Sequence, residues 1–298
     1  MVIVKAKYIN PFTDYGFKKL FGEEASKKLL ISFLNDLLPI KDKIINLAFK
    51  KNEQQGDILI SRKAVYDIFC EDEKNNQFIV EMQNSKQLYF KDRAIYYSTF
   101  PIRDQSQKGD WDFKLQAVYC VGLLGFEFEK ENAGKEYINN VQLKSQNNKI
   151  FYDKLTFIFI ELPKYNKQEN ELVTHFDKWL YFLKNLESFD KIPDILKEDI
   201  FEEAFKVAEL ANFTSEEISA YEESLKIYRD NINVIETAKE EGREQGIEQG
   251  IEQERKKTEK DKIEKIKNAL EKGYTLDIIT EILGVSIDEV ENVSISMR

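Results

Sequence analysis

As far as Pro163 the apolar positions gather into short dense runs, and beyond it they recur at helical spacing, so the chain changes period part way along. Two runs carry the strongest signal. The first ends in Ala64-Val65-Tyr66-Asp67-Ile68-Phe69-Cys70 and the second is Phe78-Ile79-Val80-Glu81-Met82-Gln83-Asn84, with a charged, Asn-containing link between them. Runs rich in β-branched and aromatic residues around so short a link predict a β-hairpin. Each run is apolar at most positions, which implies that both faces are covered. Side chains alternate along a strand, so Glu81 and Gln83 share one face while Val80 and Met82 take the other, with Asp67 on the partner strand.

Around this hairpin the pattern predicts further elements. Thr13 or Asp14 is placed to cap a helix beginning at Tyr15, and a second helix over 24–38 presents Leu29, Leu30, Phe33, Leu34, Leu37 and Leu38 on one face. A strand is expected over 44–49 and a short extended piece over 58–60. The stretch 86–105 turns helical, with Pro101 expected to kink or end it. Strands are expected within 112–128, 137–144 and 151–161, and helices packed onto the sheet over 171–186, 193–211 and 215–236. Gly242, Gly246 and Gly250 then recur at intervals of four, which reads as a solvated, partly frayed linker or, failing that, a stripe for close approach of another helix. From Ile263 a small helical module follows, in which Ser286 and Glu289 have capping-box spacing. Its last helix carries Asp288, Glu289 and Glu291, which suits a protein contact or dimerising cap better than a DNA reader. The division expected is an α/β domain with packed helices over 1–235 and a helical tail over 236–298.

Composition narrows the chemistry. Hydrophobic residues make up 42% of the 298 positions, enough for a packed interior. No apolar run approaches a membrane span and the N-terminus lacks a signal-peptide layout, so a cytoplasmic protein with no membrane partner is expected. Cys70 and Cys120 both lie in strand patterns, as small core residues do. With His175 the sole histidine, set in an amphipathic helical pattern, a Cys/His zinc cluster cannot be built, and any enzymatic work falls to carboxylates. The net charge of −10 argues against a nucleic-acid partner until its distribution is considered. Residues 1–130 hold 20 Lys/Arg against 18 Asp/Glu, so the acidity belongs to the second part and the first can approach phosphate.

A buried carboxylate is costly unless it is paired or binds a metal. Asp67 and Glu81 on neighbouring strands, with the backbone carbonyl of Met82 in reach, offer hard oxygen ligands of the kind Mg2+ takes. Such an ion would polarise a scissile phosphate and acidify an attacking water, while Gln83 could hold that water or a phosphate oxygen. Asp14 reads as a helix cap or as a further carboxylate of the site.

Taken together, Phe12-Thr13-Asp14-Tyr15-Gly16-Phe17-Lys18-Lys19-Leu20-Phe21, the Tyr66-Asp67-Ile68 strand, Phe78-Ile79-Val80-Glu81-Met82-Gln83, Arg93 with Tyr96 and Tyr97, and the glycine repeat of the tail resemble the PD-(D/E)xK nuclease family transposases, relatives of the recombination-promoting nucleases. The resemblance implies an α/β fold with a restriction-endonuclease-like αβββαβ core and a helical C-terminal region. It also implies metal-dependent cleavage of DNA in recombination or on mobile DNA, using Mg2+, Mn2+ or another divalent cation. Asp67, Glu81 and Gln83 become the catalytic residues, with Asp67, Glu81, the Met82 carbonyl and Asp14 as metal ligands. Arg93, Tyr96, Tyr97 and Lys18 become DNA contacts. The superfamily's usual last motif residue is Lys, and here it is Gln83. The alternative is a degenerate nuclease fold that binds DNA or protein. In either case the helical tail would mediate assembly, a dimer being natural for cutting both strands.

Overall fold

A computed structural model describes residues 6–51, 53–54, 64–106, 112–128 and 136–297. Helix α1 (Asp14–Phe21) starts at Thr13, whose Oγ1 accepts the Gly16 N–H at 2.9 Å. A Cβ on Gly16 would lie 2.2 Å from the Asn10 carbonyl oxygen, so the tight entry to α1 admits only glycine. Helix α2 (Lys27–Leu37) follows a short 3-10 turn and buries Leu29, Leu30, Phe33 and Leu34. Strand β1 is confined to Leu47–Phe49, shorter than the 44–49 expected, because the Asn35 side chain takes both the N–H and the C=O of Ile44. Strands β2 (Glu53–Gln54) and β3 (Ala64–Val65) form a small ribbon of their own. The extended piece expected over 58–60 lies outside the described residues.

The central hairpin is formed by β4 (Ile68–Asp72) and β5 (Gln77–Gln83), with Ile68 opposite Val80 and Glu71 opposite Gln77. Its turn is closed by the Asp72 carboxylate, which accepts the N–H groups of Lys74 and Asn76, while Asn75 adopts φ 62°. Helix α3 (Phe90–Arg103) begins later than 86 and carries Pro101 in its last turn, where the helix ends without a break. It crosses to β6 (Val118–Leu124), parallel to β5. The edge is completed by β7 (Ile138–Lys144) and β8 (Ile150–Glu161), with strand order β1-β4-β5-β6-β8-β7. The run α2, β1, β4, β5, α3, β6 is the αβββαβ core, with the β2–β3 ribbon inserted.

Alternation along these strands divides the interior in two. One face, with Ile68, Cys70, Phe78, Val80, Val121 and Ile158, packs against α1, α2, α4 (His175–Asn185) and α5 (Asp199–Ala208), where Phe33, Trp179 and Phe201 are fully buried. Helix α4 is fixed by a Thr174/Asp177 capping box, and the His175 ring lies between Asp36 and Glu198 as a structural tie. The other face, with Phe69, Ile79, Cys120, Leu124, Phe157 and Phe159, lies under α3. Both cysteines are buried and free.

The chain forms two compact units, Met1–Tyr228 and Arg229–Arg298. Helix α6 (Ser215–Glu271) is continuous through Gly242, Gly246 and Gly250, which corrects the frayed-linker reading. Each glycine costs a helix about 1 kcal/mol. Intervening Glu, Gln, Arg and Lys favour the helix, and i,i+3 pairs such as Glu240–Arg243 and Glu252–Arg255 reinforce it. In the second unit Ile266, Ile279, Val290 and Val293 form a small core joining the end of α6, α7 (Leu276–Leu283) and α8 (Ile287–Ser296). The expected Ser286/Glu289 capping box opens α8. Among the described residues no helix is long and apolar enough to cross a membrane.

Candidate active site at the open end of the central hairpin

The β4–β5 ladder ends at Ile68 and Val80, and the next residues on each side are Asp67 and Glu81. Asp67 lies just outside β4, in a bend, which frees its carboxylate to replace a backbone acceptor. Its Oδ2 accepts the Met82 N–H at 2.7 Å, a donor the shortened ladder would otherwise leave unpaired. Glu81 shares the α3 face with Ile79 and Gln83, as alternation requires, and its Oε1 is shut off from solvent with no hydrogen-bond partner. The other side-chain atom in that state among the described residues is Gln77 Oε1, at the far end of β5.

Electrostatics follow from this placement. Burial pushes the Glu81 carboxyl up to about 8, and the neighbouring Asp67 charge adds to the rise. Arg93, the Asp67 backbone N–H and Lys18 act in the opposite sense. Asp67 is also raised, first by burial, against the pull of the Met82 N–H. Two acids so close, in so dry a place, favour sharing a proton over both being charged.

Arg93 projects from the first turns of α3 toward the same point. It donates to Gln83 Oε1 and to Gln87, with Phe90 and Tyr97 each 5.8 Å from its guanidinium carbon. Gln83 Nε2 donates to the Ser85 carbonyl at 3.1 Å, so both ends of that amide are engaged. The cation of the site is therefore supplied from the helix and not from the third motif position. Tyr97 packs edge-on against Tyr66, whose hydroxyl donates to the Tyr97 carbonyl and holds α3 against the strand bearing Asp67. Tyr96 instead turns outward against Phe100 and is 41% exposed. Helix α1 is drawn in by Asn84, which donates to the Phe12 carbonyl at 2.6 Å. Lys18 pairs with Asp14 at 2.7 Å, and both charges are felt by Asp67.

The structure thus brings Asp67, Glu81, Met82, Gln83 and Arg93 together, with Lys18 and Asp14 at the margin and Tyr96 facing away. Among the described residues no group of three His, Cys, Asp or Glu side chains is placed to hold a metal ion. Two carboxylates with a backbone carbonyl nevertheless form a hard oxygen donor set, and the orphaned Glu81 oxygen fits a divalent cation. Gly122, opposite Glu81 on β6, was not singled out by sequence reading. A Cβ there would lie 2.9 Å from Phe159 Cδ1, so glycine lets that ring close the crevice beside Glu81. A glycine inside an apolar strand run was the available signal.

An αβββαβ core whose hairpin places two carboxylates beside a crossover helix is the layout of a PD-(D/E)XK nuclease. Residues 11–238 match the sequence profile of the PD-(D/E)XK nuclease family transposases, and the chain belongs to that family, one of nucleases linked to mobile DNA. No curated protein and no solved structure matches it.

Proposed function

We propose that the protein is a divalent-cation-dependent DNA endonuclease, with Asp67, Glu81 and the Met82 carbonyl as metal ligands. The observation that carries this reading is the buried Glu81 Oε1 left without a partner beside a second raised carboxylate. Leaving a buried oxygen unpaired costs roughly 1–3 kcal/mol, which a fold tolerates where a ligand satisfies it. A divalent cation such as Mg2+ or Mn2+, when bound, supplies Lewis acidity toward the scissile phosphate and acidity to an attacking water.

The protein's own groups do the rest. Asp67 is held in one orientation by the Met82 N–H, which lowers the reorganisation needed to serve as a ligand. Glu81 would hold such a cation as its carboxylate, the proton it keeps in the metal-free site passing to solvent water. Arg93, fixed by Gln83 and Gln87 and stacked near Phe90 and Tyr97, offers its charge to the phosphate, and Lys18 adds to the field. Gln83 positions Arg93. Asp14, paired with Lys18, is a further carboxylate that could turn toward the metal, and Tyr97 beside Arg93 borders the DNA-facing side of α3, from which Tyr96 turns away.

A homodimer through the C-terminal helices is supported by Ile247 and Ile251, 52% and 66% exposed on α6. A cytoplasmic setting fits two free cysteines. The second reading, a fold that binds DNA or protein without cutting, is favoured by Gln83 standing where the motif has Lys. Plasmid nicking with and without Mg2+ or Mn2+, by wild type, Asp67→Asn and Glu81→Gln, decides between them. Metal-dependent nicking reduced about a thousandfold in both variants is expected, since a catalytic metal contributes several kcal/mol. DNA binding with no nicking by any of the three would establish the second reading.

A further inference from the structure

Beside the crevice at Glu81, and sharing Ala94 and Phe159 with it, lies a groove of ≈ 440 Å³ between α3 and the β7–β8 ledge. Its volume is within the roughly 300–1,000 Å³ range of small-molecule sites. Three aromatic rings, Phe128, Phe157 and Phe159, form one wall, and the amide of Asn139, opposite Phe159 on β7, stands along it. Asn139 Nδ2 is committed to Glu161, so its carbonyl oxygen is the end of that amide able to receive a hydrogen bond. Two lysines meet at the mouth. Lys91 Nζ lies 5.3 Å from the centre of the Phe128 ring, and Lys86 Nζ donates to the Phe128 carbonyl at 2.6 Å.

Aromatic walls stack a planar ring, amide oxygens accept from exocyclic amino groups, and paired ammonium groups meet a phosphate. At the turn into α3, Leu88 and Tyr89 are 82% and 71% exposed, and Tyr89 is held at φ 61°, a conformation a tyrosine rarely adopts. Exposed apolar side chains of this kind are the wedges that unstack a base step. We propose that the groove receives one unpaired nucleobase of the DNA strand that lies in the active site, with Lys86 and Lys91 on its phosphate and Leu88 and Tyr89 filling the gap it leaves. This rests on the nuclease reading for its substrate and adds a preference for DNA in which a base is already unpaired, where extrusion is least costly.

The test is equilibrium binding in EDTA, which stops cleavage, by fluorescence anisotropy of a fully paired duplex and the same duplex with one single-base bulge. Wild type is expected to bind the bulged duplex about tenfold more tightly, the worth of one base stack. Leu143→Trp fills the groove from a position already 50% exposed, so the fold tolerates it, and is expected to abolish the preference while leaving paired-duplex affinity within about twofold. Equal affinity of wild type for both duplexes, or a preference that survives Leu143→Trp, overturns the proposal. A change of solution mass in Leu143→Trp with DNA binding intact overturns it too, and makes the groove a contact between copies. A bulge preference without plasmid nicking would uphold the pocket while the nuclease reading fails, and nicking without the preference would do the reverse.

Discussion

The two faces of β5 obey opposite rules. Toward α1, α2 and α4 the strand presents Phe78 and Val80 to an interior closed by Trp179, Phe33 and Phe201. Toward α3 the same strand presents Ile79, then Glu81 and Gln83, and a single helix covers them. The first face stabilises the fold through burial. The second gives up part of that stabilisation to hold two raised acids and an arginine at one point. Alternation along seven residues is enough to keep the two separate.

That contrast can be broken from either side. The largest effect is expected on the closed face, where Trp179→Ala removes a fully buried ring and should cost about 3–5 kcal/mol, read as a lower midpoint in urea unfolding. A loss below about 1 kcal/mol would mean that this face is not the main core. Next comes pH on the open face. An acid whose pKa is raised by folding holds its proton more tightly in the folded state, so its contribution is full below the ordinary value of 4.5 and falls as pH climbs to about 8. Metal-free wild type should therefore lose about 2–4 kcal/mol between pH 5 and 8, and Glu81→Gln should flatten most of that slope. An unchanged slope in the variant would place the titration elsewhere.

A smaller effect sharpens the role of Arg93. Gln83→Lys restores the usual motif residue but sets an ammonium against the guanidinium that Gln83 now holds. Nicking should fall roughly tenfold, and Gln83→Lys combined with Arg93→Gln should recover it. A single Gln83→Lys more active than wild type would show that Arg93 is not the working cation. The smallest effect is in α6, where a Cβ on Gly246 or Gly250 meets nothing within 4 Å. Each Gly→Ala change should stabilise the helix by up to about 1 kcal/mol in thermal melts and leave nicking unchanged. A fall in stability or in solution mass would show that another helix packs on the stripe.

The hairpin and the shared face of Glu81 and Gln83 were legible in the sequence because they are local consequences of the apolar runs and of alternation. The αβββαβ order followed from the same runs and from the resemblance they carry. What was not legible depends on where elements stop and on what comes from elsewhere in the chain. Asp67 could be read as a strand residue, but not as the acceptor of the Met82 N–H, which exists because the ladder ends one pair earlier. Asn35 trimming β1 is a tertiary contact, as is Arg93 reaching back to Gln83. The glycine repeat misled in the other direction, since glycine content outweighed the helix-forming residues between.

Whether Glu81 is kept for a cation and not for the fold is tested most directly by thermal unfolding at pH 8 of wild type and Glu81→Gln, each in EDTA and in Mn2+. The variant should be the more stable protein in EDTA, and Mn2+ should raise the midpoint of wild type alone. A variant less stable than wild type in EDTA, or an equal gain from Mn2+ in both, would contradict the account.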